Sequence, residues 1–385
     1  MKIAYVYPHY FHLAGTERVL IDKMNYLADK AGVDVMMVTY EQGSHPVAYP
    51  LSPKVKRFDL DVHFYSLYRY NWFARPFKCY QYNKLLRKRF NQLVDDIKPD
   101  IVIATTYHGI ILMMIDKCPT PFIKVLESHI DKRYININDP GTHRHWSDRI
   151  LGVYNLNVLN HKARNFDVLV ALNDNDADEW SRYLKTRVIK NIVHLNNKGR
   201  YSNLESKRAI FVGRYYPQKG IPDLVRIWKI VHNRHPDWHL DMYGDGDFVE
   251  IPATEEERLQ MHIHAHQTVA DIFERYLESS FLLLTSLYEP FGLVMPEAMS
   301  CGLPVVAFDC PSGPAQIITD GVDGYLIKDR NIDEFADKVC SLIESSDLRH
   351  TMGKAAIQSS QKYSTDQIMA QWMNLFNELL SSAQS

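Results

Sequence analysis

Glu289 and Glu297 are separated by seven residues, and the stretch between them carries Phe291, Gly292, Leu293 and Pro296. Proline is tolerated in the first turn of a helix, where its missing N–H is not needed, and Gly302 marks where such a helix must stop. The pattern therefore predicts a short helix over 293–301. Apolar runs of strand length flank it, 281–286 before and 304–309 after, as in a parallel sheet covered on both faces. A helix that starts at the carboxyl end of such a strand presents free N–H groups that attract phosphate. Acids beside an anion-seeking terminus make chemical sense only if they accept hydrogen bonds, and sugar hydroxyls are donors.

Two cations lie upstream. Arg214 and Lys219 flank the loop GRYYPQKG, which follows an apolar strand over 209–212. A forked guanidinium and a point-charge ammonium together can neutralise a departing diphosphate. In the N-terminal half, His108 and His129 follow strands predicted over 100–106 and 122–126, where each reads either as a site residue or as a structural histidine. Gly15 and Thr16 sit between a first strand, 2–8, and a helix over 16–30 whose Val19, Leu20, Met24 and Leu27 fall at helical spacing. Backbone there can approach phosphate closely, or the loop is a plain tight turn. The G-x-G-x-x-G fingerprint is absent, which argues against a nicotinamide enzyme.

Three metal-like patterns fail on inspection. Asp59-Leu60-Asp61 is a D-x-D without the surroundings that metal-using transferases give it. The acid run 174–179 lacks the glycine of a calcium loop and has Lys185 where the bidentate glutamate belongs, so it reads as a helix start. His262, His264 and His266 alternate with no further ligand in view, so no metal site is expected.

Positioning these residues requires an alternation of strand and helix along the whole chain, which predicts an α/β protein of two Rossmann-like domains. The polar, aperiodic stretch 188–206 marks the boundary. The predicted divisions are an N-terminal domain over 1–195, a C-terminal domain over 196–364 and a terminal helix over 365–385. Ile368, Met369, Trp372, Met373, Phe376 and Leu380 form an apolar stripe on that helix.

Glu289 and Glu297, followed by CGLPVVAFDCPSGPAQIITDGVDGYLI, resemble the signature of retaining nucleotide-sugar glycosyltransferases of the GT-B fold, family four (group 1). The similarity continues through FVGRYYPQKGIPDLVRIW and LDMYGDGD, and more weakly through AGTERVL and VLESHID, so that it covers essentially the whole chain. The resemblance implies parallel sheets facing a central cleft, with the donor held mainly by the C-terminal domain and the acceptor by the N-terminal one. It places Glu289 and His129 against the transferred sugar, Glu297 on the ribose, and Arg214 and Lys219 on the leaving diphosphate. Gly15, Thr16, Phe291, Gly292 and Leu293 fall in the donor-binding loops. Relatives usually have two glycines in the first loop, and Ala14 departs from that. The nucleobase pocket is implied near 254–266, and the terminal helix is implied to cross back to the first domain. No metal or other cofactor is implied beyond the nucleotide-sugar donor, which the resemblance implies to be UDP- or GDP-linked, and the acceptor is a saccharide or a polyprenyl-diphosphate-linked saccharide. A nucleotide-sugar epimerase, a phosphorylase and a non-catalytic nucleotide-sugar-binding protein are the rival readings on the same fold.

Composition narrows the class further. With 385 residues, 46% of them hydrophobic, and a net charge of −2, the chain can bury two full cores and is not a globally basic nucleic-acid binder. Five scattered cysteines without ligand spacing fit a reducing compartment, and neither a leader peptide nor a spanning apolar run is read, so a cytoplasmic enzyme is expected. One stretch is unusual: 64–94 holds ten aromatic residues and seven cations (Arg69, Arg75, Lys78, Lys84, Arg87, Lys88, Arg89) without one acid. That reads either as an element lying on anionic lipid at the inner face of the membrane or as a solvated helix with its aromatics in the core.

Overall fold

The computed structural model of the protein describes residues 1–106, 109–135, 156–196, 198–247 and 251–384. Two compact units divide it: residues 1–135, 156–192 and 369–384 of the described chain form the first, and 193–368 the second.

The first unit is built on a seven-stranded parallel sheet. In chain order the strands are β1 (Lys2–Val6), β2 (Asp34–Thr39), β3 (Lys56–Asp59), β4 (Ile101–Thr105), β5 (Ile123–Ser128), β6 (Val168–Ala171) and β7 (Thr186–Val188), and across the sheet they run β3-β2-β1-β4-β5-β6-β7. Apolar stretches such as IVIAT in β4 are buried at every position, as a sheet covered on both faces requires. The helix Gly15–Asp29 returns the chain from β1 to β2 and buries Val19, Leu20, Met24 and Leu27, as the spacing predicts. The order reverses between β1 and β4, and open α/β sheets bind ligands at the carboxyl ends beside such a reversal. The helix Ala74–Ile97 buries only Leu86, Phe90 and Val94, at four-residue spacing. Of the aromatics upstream of that seam, Tyr65, Tyr68, Trp72, Phe73, Phe77 and Tyr80 stand exposed, so the reading that puts this stretch's aromatics in the core does not hold for these six.

A second reversal organises the second unit. Its parallel strands are β8 (Arg208–Val212), β9 (His239–Tyr243), β10 (Ile263–His266), β11 (Phe281–Leu284), β12 (Val305–Phe308) and β13 (Gly324–Ile327), ordered β10-β9-β8-β11-β12-β13. The reversal lies between β8 and β11, so the loops carrying Arg214, Lys219 and Glu289 leave neighbouring strands at the same edge. The terminal helix Thr365–Gln384 belongs to the first unit from Met369 onward, and buries Met369, Trp372, Leu375, Phe376 and Leu379. Among the described residues no helix is long and apolar enough to cross a membrane.

Candidate active site

In the second unit β11 ends at Leu284, and the chain turns through Thr285 and Ser286 to Glu289. Glu289 is 7% exposed. Its Oε2 accepts from Lys219 Nζ at 2.6 Å and from Ser286 Oγ at 3.2 Å. A carboxylate offers about four lone-pair sites, so two donors leave acceptor capacity for a ligand hydroxyl. The loop is held from below by Arg330, which donates from Nη1 to Ser286 O and from Nη2 to Thr285 O, both at 2.9 Å, while its Nε reaches Asp223 Oδ2 at 3.1 Å. Lys219 is fixed through its carbonyl, which accepts from Thr285 Oγ1 at 2.9 Å.

Two glycines make this approach sterically feasible. A Cβ on Gly220 would lie 2.1 Å from Thr285 O, and one on Gly292 would lie 2.6 Å from Met295 Cε and 2.9 Å from Glu289 Cγ. Both also have positive φ, +63° and +85°, which side chains other than glycine rarely adopt. Gly292 thus folds the loop back onto Glu289 before the helix Val294–Ser300 begins, close to the predicted limits. Phe291 is buried edge-on against Tyr363, and Leu293 caps the helix with no side-chain bond of its own. Glu297, 3% exposed, lies within the helix with its Oε2 accepting from Tyr276 O–H at 3.4 Å. The two acids therefore have different partners. Arg214 does not join the Lys219–Glu289 pair: it is exposed, with its guanidinium 5.9 Å from the Tyr216 ring centre.

The first unit gathers a second polar group. Glu127 ends β5, and both its oxygens accept from Lys23 Nζ of the helix Gly15–Asp29, at 2.6 and 2.5 Å. His129 Nε2 lies 2.8 Å from Glu127 Oε2. Burial pushes the Glu127 carboxyl up, but the attraction of Lys23 and the bond from His129 outweigh it and hold the group below its ordinary value. With Nε2 of His129 on the Glu127 carboxylate, Nδ1 is the ring's other polar atom. Burial lowers Lys23, whose ammonium also sits 3.8 Å from the Trp372 ring centre. Glu17, one turn into the same helix, is 5% exposed, and burial raises its carboxyl. Gly15 and Thr16 are the first two residues of that helix, after Ala14 in extended conformation.

Of the residues singled out from sequence, Lys219 and Glu289 are brought together directly, and Phe291, Gly292, Leu293 and Glu297 follow in the same loop and helix. His129, Gly15 and Thr16 belong to the first unit, and His108 lies outside the described residues. Sequence reasoning missed Arg330, Ser286, Lys23, Glu127 and Glu17. Glu127 and Glu17 stood inside the motifs VLESHID and AGTERVL. The metal-like patterns have ordinary structural roles: Asp59 accepts from Gly43 N and Asp61 N, Asn173 caps the helix Asp174–Ser181, and His264 and His266 face His239 and Asp241. Among the described residues no group of three His, Cys, Asp or Glu side chains is arranged to hold a metal ion.

Two reversed parallel sheets, with an acid–cation pair at the carboxyl end of the second, are the architecture of the GT-B fold. Residues 196–359 match the model of glycosyl transferases group 1. A Haemophilus influenzae protein named as an uncharacterised glycosyltransferase is 26% identical over 97% of this chain and 99% of its own. The amylovoran biosynthesis glycosyltransferase AmsD of Erwinia amylovora is 33% identical over 48% of this chain and 53% of its own, so that likeness is partial. Among solved structures, S. aureus TarM in complex with UDP and α-GlcNAc-glycerol superposes with a TM-score of 0.75 at 16% identity, covering 98% of this chain and 99% of that one, which speaks to the fold.

Proposed function

We propose that this glycosyltransferase moves a hexosyl group, with retention at the anomeric carbon, from a UDP- or GDP-linked sugar to a hydroxyl of a saccharide or polyprenyl-diphosphate-linked saccharide. The setting is cytoplasmic assembly of a cell-surface polysaccharide or glycan. AmsD is named for polysaccharide biosynthesis and TarM was solved with UDP, and both support the reading.

The observation that carries it is the Lys219–Glu289 pair, only 14% and 9% exposed, at the edge where β8 and β11 end. A diphosphate arriving there competes for the ammonium, and each lone pair it frees on Glu289 becomes an acceptor for a sugar hydroxyl. Donor binding and sugar recognition are then one exchange of partners. The bond between the anomeric carbon and the diphosphate oxygen breaks, the acceptor oxygen bonds to that carbon on the same face, and the acceptor proton leaves with the nucleoside diphosphate. Lys219 and Arg214 stabilise the charge that grows on the leaving group, Glu297 takes the ribose diol, and His129, Gly15 and Thr16 keep the roles the resemblance implies. These cations supply the positive field without a metal, so turnover is expected to survive chelation of divalent ions.

Calorimetry of UDP and GDP against two variants, alongside turnover, tests the assignment. Glu297→Gln should weaken the nucleotide by about 1.5–3 kcal/mol, the worth of a charged hydrogen bond. Glu289→Gln should leave nucleotide affinity unchanged or improved, because Lys219 is released to the diphosphate, while transfer collapses. Equal loss of affinity in both variants means the roles are wrong. Product analysis separates the rivals: an epimerised donor or a sugar phosphate identifies an epimerase or phosphorylase, and no product a binding protein.

A further inference from the structure

The geometry points to a lipid-docking surface on the first unit, built by residues 65–88 and fitted to an anionic bilayer. Helical backbone runs from Phe73, whose φ and ψ are −74° and −37°, through the helix Ala74–Ile97. Residues spaced three and four apart share one face, so Phe73, Phe77, Tyr80, Lys84 and Lys88 form a single stripe. That stripe lies opposite the seam of Leu86 and Phe90 that covers the sheet. All five of its residues are exposed, with Phe73 at 74% and Phe77 at 62%. Trp72, 73% exposed, packs tilted against Phe73 with ring centres 4.0 Å apart.

Two features select lipid as the occupant. Isolated exposed apolar residues need no explanation, but a row of large rings at one end of a helix face does. Aromatic rings with cations beside them match the boundary between headgroups and acyl chains, where rings bury their faces and Lys or Arg meet phosphate. Arg87 stands exposed beside the stripe, Arg69 and Arg75 are exposed at its aromatic end, and no acid occurs from 62 to 94, although the protein as a whole carries −2. Arg89, from the same run, is not part of the surface. Its Nη1 donates to the carbonyls of Leu60 and Asp61, both at 2.6 Å, and holds the end of β3.

Flotation of the intact protein with phosphatidylglycerol–phosphatidylcholine vesicles tests this surface. Binding is expected to the mixed vesicles and not to pure phosphatidylcholine, and 0.5 M salt should release it. Lys84→Ser/Arg87→Ser/Lys88→Ser should weaken partitioning on the order of 100-fold, and Trp72→Ser/Phe73→Ser/Phe77→Ser should abolish it. Trp72→Phe should remove the lipid-induced blue shift of tryptophan emission. Because these side chains are exposed, both triple variants should keep the wild-type melting temperature and UDP affinity. Lost vesicle binding with retained UDP binding therefore reports on this surface, whatever the fate of the donor assignment. Equal binding to neutral vesicles, salt-insensitive binding or vesicle binding unchanged in the charge variant overturns the proposal. So does self-association through Trp72 without lipid binding, or tighter binding of soluble poly(glycerol phosphate) than of vesicles.

Discussion

Two acid–cation pairs stand out at the residue scale, and they were legible to different degrees. Glu289 and Lys219 stood out because both lie in dense local motifs, and the structure brings them to 2.6 Å. Lys23 and Glu127 did not, because their contact joins a helix to a strand end across 104 positions and depends on how two elements register. Removing one partner of a fully buried pair strands the other charge, so Lys23→Met should destabilise the first unit by about 3–5 kcal/mol in chemical denaturation. Acid should act in the same direction. Glu127 is held below its ordinary value of 4.5, so its contribution is present above that pH and is lost as the pH falls through its lowered value in the fold. His9 adds an earlier step: burial, with His12 beside it, lowers its ring from 6.5 to about 4. The unfolded chain takes up this proton first, so stability present above about pH 6.5 drains away as the pH falls towards 4. His9→Phe keeps the stacking on Phe11, whose ring centre is 4.1 Å away, and removes the titration. Its melting temperature should be flatter than wild type between pH 6.5 and 4, and an unchanged slope would assign the acid loss elsewhere.

At the scale of elements, apolar runs bounded by glycine and proline gave the strands and the two-domain alternation, because a parallel sheet buried on both faces leaves little choice of residue. Polar loops carry no such constraint. The strap formed by Arg330 over Thr285 and Ser286 was therefore invisible in the sequence, although Arg330 itself adopts a positive φ of +52° to make it. The aromatic stretch was ambiguous for a related reason: composition reports the rings but not the seam, and only the burial of Leu86, Phe90 and Val94 shows which side faces inward. Gly292 is where an element's geometry passes into chemistry. Gly292→Ala must strain a φ of +85° and push Glu289 Cγ away from a contact of 2.9 Å. The backbone cost is about 1–3 kcal/mol. On the role proposed for Glu289, displacing its carboxylate costs turnover on the order of 100-fold. A melting temperature a few degrees lower with kcat unchanged would show that Glu289 does not need this loop geometry.

For the molecule as a whole, the chain begins in the first unit, passes into the second and returns at Met369, so the last helix from that residue on is part of the unit that contains the first residues. Its stripe was readable from spacing, but its partner was not. That partner includes Lys23, whose ammonium lies 3.8 Å from the Trp372 ring centre while bonded to Glu127. Trp372 is 2% exposed and so roofs the pair that orients His129. Two kinds of contact hold this helix, and their magnitudes differ. Glu378 pairs with Arg187 at 2.8 Å and Lys185 at 3.2 Å, but all three side chains are 41–50% exposed, where water and salt screen the attraction. Burial of Trp372 is screened by nothing, and truncating a buried tryptophan costs about 3–5 kcal/mol, with the loss of a ring over a desolvated cation included. Trp372→Ala should therefore lower the first unit's unfolding midpoint sharply and raise amide exchange at Tyr5 and Glu127. Glu378→Gln should leave both nearly unchanged, and Trp372→Phe should recover most of the loss. If Glu378→Gln were the more damaging change, the returning helix would be held by its surface charges, and the buried ring would not be what secures the Lys23–Glu127–His129 group.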